Sequence, residues 1–109
     1  MTDEELAALF AEKVLGWRRE PTWATWLDED GRYPMWRRPW QPCTDLNQAM
    51  LGVEQAPYKI SAHNVEDGFW TVYLLPAADI TTIVPMTRDK LLGRAIVKAC
   101  LKAVGVEVE

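Results

Sequence analysis

Leu6, Phe10, Val14 and Trp17 recur at steps of four, four and three, with Leu9 widening the stripe, so the spacing predicts an amphipathic helix over 2–16. Thr2 followed three residues later by Glu5 forms a capping box, in which the hydroxyl accepts from the Glu5 amide while the carboxylate reaches back to the Thr2 amide. Gly16 is the natural stop. Residues 17–43 break the rhythm, because Pro21, Pro34, Pro39 and Pro42 cannot donate to a ladder and disfavour helix at the residue before them. Trp23 to Leu27 and Tyr33 to Trp36 flank Asp28-Glu29-Asp30-Gly31, a turn sequence suited to positive φ, so a short irregular hairpin is expected there. An extended, near-polyproline arm should follow it.

Thr44 and Asp45 offer caps for a second helix over 44–56, with Leu46, Ala49, Met50 and Val53 as its apolar face, Gly52 as a weak point and Pro57 as the exit. From Tyr58 the period changes to two. Tyr58, Ile60 and Ala62, then Asp67-Gly68, then Trp70, Val72 and Leu74 predict a β-hairpin over 58–75. In 76–86 the β-branched run Ile80-Thr81-Thr82-Ile83-Val84 lies between Pro76 and Pro85 and reads as a short strand or an ordered loop. Thr87 is expected to cap a last helix over 87–104, ended by Gly105, with Leu92, Ile96, Ala99 and Ala103 on one side and Val97, Leu101 and Val104 widening it. The order α, β-hairpin, α, β-hairpin, α predicts an α+β domain with a small antiparallel sheet packed by helices, since short Asp-Gly connections favour antiparallel neighbours.

The 109 residues suit one hydrophobic core, and 49% hydrophobic with 26% charged residues is a globular composition, here with a net charge of −4. No stretch approaches the roughly 18 apolar residues of a membrane span, and Met1-Thr2-Asp3-Glu4-Glu5 lacks the basic flank and apolar run of a secretion signal. A cytoplasmic protein without membrane contact is expected. Cys43 and Cys100 lie far apart with no Cys-x-x-Cys and no neighbouring histidine, so two reduced, partly buried thiols are expected rather than a disulfide, a zinc site or a redox pair.

Between Trp17 and Trp40 the chain places five of its six tryptophans, Tyr33 and three of its seven prolines. Arg18, Arg19, Arg32, Arg37 and Arg38 interleave with these indoles, an arrangement suited to cation–π stacking, base stacking or phosphate gripping. Glu20, Asp28, Glu29 and Asp30 dilute that charge to +1 over 17–43. Three readings stay open: indoles that close a small core, a small-molecule or nucleotide pocket, and a protein-docking surface. The candidate binding residues are Trp23, Trp26, Trp36, Arg37, Arg38 and Trp40.

Catalytic chemistry finds little support. His63 stands alone, with no Gly-x-Ser-x-Gly elbow and no Cys-His signature anywhere in the chain. Asp28-Glu29-Asp30-Gly31 resembles part of a calcium loop, but the position of the closing glutamate holds Arg37, and the six glycines are too scattered for a phosphate-cradling loop. No metal and no cofactor is expected. Lys90, Arg94, Lys98 and Lys102 recur every four residues and read as a solvated basic stripe, while the acidic balance of the chain argues against nucleic-acid binding.

Glu12-Lys13-Val14-Leu15-Gly16-Trp17, the Trp-rich loop, Pro42-Cys43-Thr44-Asp45 opening a helix with Ala49, then Ala95 and Ala99-Cys100-Leu101-Lys102-Ala103-Val104-Gly105-Val106 resemble, in order, the small phage and prophage proteins with a phage ABA sandwich domain. The resemblance implies an α-β-α layered sandwich encoded by a bacteriophage or prophage, with no established activity and no functional residues to carry over. Two departures stand out: Cys43 occupies a position where a serine is expected, leaving helix capping to Thr44, and the connection around 76–86 is longer. The resulting expectation is a non-enzymatic accessory protein that binds a host or phage protein through the aromatic arm. The alternative is a binder of a nucleotide or other small anionic ligand held by tryptophan and Arg37 or Arg38. An enzyme is the third reading, and exposed aromatics would also allow a homodimer.

Overall fold

The computed structural model of the chain describes residues 1–20, 25–35, 38–55, 58–64, 68–76 and 87–108. Helix α1 (Asp3–Leu9) starts where its capping residue demands, with the Thr2 hydroxyl accepting from the Glu5 amide at 3.1 Å. The Glu5 carboxylate answers the Thr2 hydroxyl at 3.2 Å rather than the amide. The helix then widens into a π-helical stretch, Phe10–Val14, closed by the Leu15 amide on the Phe10 carbonyl at 3.2 Å. Gly16 ends it at φ 71°, a left-handed conformation that glycine adopts at no steric cost. Leu6 and Phe10 are fully buried, as the stripe requires.

Strands β1 (Arg18–Glu20) and β2 (Thr25–Leu27) pair antiparallel, with Arg19 opposite Trp26. A hairpin therefore exists, but Thr25 to Leu27 pairs upstream and not with the expected 33–36. The Asp28–Gly31 turn closes on itself instead: the Asp28 carboxylate accepts from the Asp30 and Arg32 amides at 2.9 and 2.8 Å, and the Asp28 amide donates to the Arg32 carbonyl at 2.9 Å. With its residues spent locally, the turn leaves Met35 to bury itself. Trp23, Trp36 and Arg37 lie outside the described residues.

Helix α2 (Leu46–Gln55) is capped by Asp45, whose carboxylate accepts from the Asn47 and Gln48 amides at 3.0 and 3.3 Å. Thr44 is not the cap; its hydroxyl donates back to the Gln41 carbonyl at 3.3 Å. The buried face is Gln48, Ala49, Gly52 and Val53, and Leu46 is exposed, so the helix is rotated relative to the expected apolar face.

The hairpin over 58–75 is present as β3 (Tyr58–Asn64) and β4 (Trp70–Pro76), antiparallel with Ile60 opposite Leu74 and Ala62 opposite Val72. Val72 and Leu74 are fully buried. On the other edge of β4 runs β5 (Thr87–Asp89), with Thr87 opposite Val72, so the sheet order is β3-β4-β5. Thr87 thus belongs to a strand, and the last helix starts later than expected, as α3 (Leu92–Ala103). Its hydroxyl does not cap but donates to the Ala95 carbonyl at 2.6 Å, which clamps the strand to the helix. The reading of 76–86 as strand or loop falls, beyond Pro76, outside the described residues.

The chain is an α+β fold with, among the described residues, three helices and two small antiparallel sheets, in the expected order α, hairpin, α, hairpin, α. Helix α3 supplies the centre of the core: Ala95, Ile96, Val97, Ala99, Cys100 and Leu101 are all at most 2% exposed. It packs on β4 and β5 and also touches α1 and α2. Gly93 permits the first turn of α3 to rest on the end of the arm, since a Cβ there would sit 2.6 Å from the Cys43 carbonyl. The basic stripe on α3 is not simply solvated. Arg94 pairs with Asp3, reaches the Met1 carbonyl at 2.7 Å and holds Asp89 at 3.0 Å, while the Lys98 ammonium holds Asp89 at 2.7 Å.

Candidate binding cleft

The Trp-rich arm crosses the molecule under two constraints. From one side the Trp40 indole Nε1 donates to the Ala7 carbonyl of α1 at 2.8 Å, and its ring stacks on Phe10 at 5.8 Å and meets Trp17 at 4.8 Å. From the other side the buried Gln48 amide of α2 takes both ends of 39–41: its carbonyl accepts from the Gln41 amide at 2.7 Å and its nitrogen donates to the Pro39 carbonyl at 3.0 Å. Proline supplies no amide of its own, so the side-chain bonds replace a ladder the arm cannot form.

Between the pinned arm, α1 and the β1–β2 hairpin opens a cleft of about 410 Å³, whose chemistry comes from Glu4, Arg19, Thr25, Trp26, Arg38 and Trp40. The hairpin register decides much of this. With Arg19 opposite Trp26, the guanidinium lies 5.4 Å from the centre of the indole, a cation–π contact that leaves Trp26 4% exposed and the arginine on the cleft wall. Arg38 is exposed and has no ion-pair partner among the described residues. Arg94 and Lys98, by contrast, spend their charge on Asp3 and Asp89. A guanidinium left unpaired beside an aromatic wall suits a phosphate or carboxylate held in a fork, with a planar group against the indoles.

Of the six residues expected from sequence, the structure gathers Trp26, Arg38 and Trp40 in this cleft; Trp23, Trp36 and Arg37 are not described. Trp40 is half-buried and Trp26 buried, so both serve the core as well as the cleft. Sequence reasoning missed Arg19, Glu4 and Gln48. Arg19 carried a signal in its place among the interleaved arginines, but only the strand register singles it out.

Among the described residues, two further hollows border the cleft. One of about 250 Å³ shares Glu4, Ala7 and Trp40 with it and ends at Asp3, Gln41 and Thr44. The other, about 410 Å³, lies across the arm and shares Met35 and Arg38. Cys43 borders the smaller hollow but is a poor nucleophile: burial first, then the Asp3 charge, pushes its thiol up to about 11 against the pull of Arg94. Burial alone pushes Cys100 up to about 12, and both thiols are free but fully buried, at 2% exposure for Cys43 and 1% for Cys100, rather than partly buried as expected. His63 is exposed, within 2.8 Å of the Ser61 hydroxyl, and borders none of these hollows.

No protein-family model matches the sequence, and no curated protein matches it. Among solved structures, the fold is similar to the 2.0 Å crystal structure of a phage protein from Bacillus cereus ATCC 14579, with a TM-score of 0.75 and 16% identity over 100% of this chain and 93% of that one. At that identity the likeness is one of fold.

Proposed function

We propose that the chain is a phage- or prophage-encoded accessory protein of the phage ABA sandwich type, which works in the host cytoplasm by binding rather than by catalysis. Its contact site is the cleft under the Trp-rich arm, and the occupant is a compact anionic ligand. The observation that carries this reading is the meeting of Arg38, which has no ion-pair partner among the described residues, with an Arg19 already seated on the Trp26 face, both lining one cleft of about 410 Å³. The full-length fold likeness to a Bacillus cereus phage protein supports the phage origin. The non-catalytic reading rests on the lining: among the described residues, Arg19, Arg38, Glu4 and Thr25 bind and orient well but offer no nucleophile with an adjacent base.

A titration of the full chain with pyrophosphate and a panel of nucleotides, read by tryptophan fluorescence, tests this directly. Saturable change that disappears in Arg38→Ala is expected. No response to any anion would contradict it.

One observation favours a second reading, docking of a protein partner. Tyr33, Pro34, Arg38 and Pro39 are all exposed on the same arm, and tyrosine and arginine are common interface anchors. Affinity capture from phage-infected cells that recovers a partner with the natural chain, and loses it with Tyr33→Ala and Arg38→Ala together, would establish that reading.

A further inference from the structure

The cleft and the smaller hollow beside it share Glu4, Ala7 and Trp40 as lining, and the cleft itself carries charge of both signs, Arg19 and Arg38 against Glu4. The arginines Arg19 and Arg38 line the cleft alone, whereas Asp3, Gln41 and Thr44 line the smaller hollow alone. Glu4 stands at the junction, and its carboxylate has no ion-pair partner among the described residues. The half-buried Trp40 indole beside it is locked in orientation by its bond to the Ala7 carbonyl.

Such a lining asks for a ligand with an anionic end, a planar middle or end, and a cluster of hydrogen-bond donors. An ionised carboxylate only accepts, and its two oxygens match two adjacent N–H groups. Guanine offers that pair on its N1 and N2 edge, whereas adenine places one amino donor beside an acceptor nitrogen that a carboxylate repels. The cleft, about 410 Å³, lies within the range of roughly 300–1,000 Å³ usual for ligand pockets.

We infer that the ligand is a guanine nucleotide, its phosphate on Arg19 and Arg38, its base beside Trp40 and its donor edge on Glu4, which makes Glu4 the residue that selects the base. This rests on the anionic-ligand reading of the cleft. A free amino acid also has both ends but lacks the planar ring that the indole would stack.

Isothermal calorimetry of the full chain with guanosine monophosphate, adenosine monophosphate and pyrophosphate separates the two claims. Guanosine monophosphate should bind at least about tenfold more tightly than adenosine monophosphate, the discrimination expected of one bidentate base contact. Glu4→Gln should erase most of that ratio and should tighten pyrophosphate rather than weaken it, because it removes a negative charge from the anion cleft, and Arg38→Ala should weaken all three ligands together. Equal affinity for the two nucleotides, or a guanine preference that survives Glu4→Gln, overturns the base assignment and leaves the anion cleft standing. No binding of any of the three removes both. Glu4 is exposed, so Glu4→Gln is expected to fold, and circular dichroism checks that it does.

Discussion

The Trp40 indole nitrogen donates to the Ala7 main-chain carbonyl across 2.8 Å, which ties the arm to the first helix just before that helix widens into its π-helical stretch. The same ring lies on Phe10, a fully buried side chain of the core. The arm is therefore part of the core on its inner side and a cleft wall on its outer side. That double use lets the same indole close the core and line the cleft proposed for binding.

Trp40→Phe keeps most of the buried ring but removes the donor, and is expected to cost about 0.5–1.5 kcal/mol of stability. Trp40→Ala removes the ring as well and is expected to cost about 3–5 kcal/mol. Urea unfolding of both variants checks the pair of values. A near-neutral Trp40→Ala would mean that the arm is not packed as described.

Gln48 is a buried polar side chain whose two bonds hold both ends of 39–41. Gln48→Ala strands the Gln41 amide and the Pro39 carbonyl, and a loss of about 1–3 kcal/mol is expected. Hydrogen exchange at the Gln41 amide should speed up more than exchange in β4. Unchanged protection at Gln41 would contradict the strap.

Asp89 links acid stability to the charged cluster. Burial raises its carboxyl pKa, but the Lys98 hydrogen bond, the Leu91 amide and the charges of Lys98 and Arg94 together outweigh it and hold the group below its ordinary value of 3.8. A depressed folded-state value stabilises the protein above the unfolded value, and that contribution is lost as pH falls through the folded one. The melting temperature of the natural chain should therefore drop more between pH 5 and pH 2 than that of Asp89→Asn, which is already less stable at pH 7. Parallel pH profiles would remove Asp89 from the role.

Much of the architecture was legible because it rests on local patterns. Thr2 and Glu5 announce the first helix, the period-two run from Ile60 to Leu74 announces the central hairpin, and the Ala-rich stripe announces α3. What was hidden depends on long-range partners. Arg18-Arg19-Glu20 has no apolar alternation to mark a strand, and its partner Trp26 only emerges with the register. Thr87-Arg88-Asp89 is equally polar, so its threonine resembled a helix cap while its backbone was already committed to β4. Arg94 looked solvated because its partner Asp3 lies at the opposite end of the chain. In the cleft, Trp26, Arg38 and Trp40 were visible from composition, whereas Arg19 and Glu4 needed the fold to bring them together.

Whether an anion sits between Arg19 and Arg38 is read most directly by an NMR titration of the full, nitrogen-labelled chain with pyrophosphate at low salt. Binding in the cleft predicts saturable, salt-weakened shifts of the Trp26 and Trp40 indole signals and of the Arg19, Thr25 and Arg38 amides, with β3 unmoved. Shifts that spare those groups, or that fall on β3 and the end of α3 instead, would contradict it.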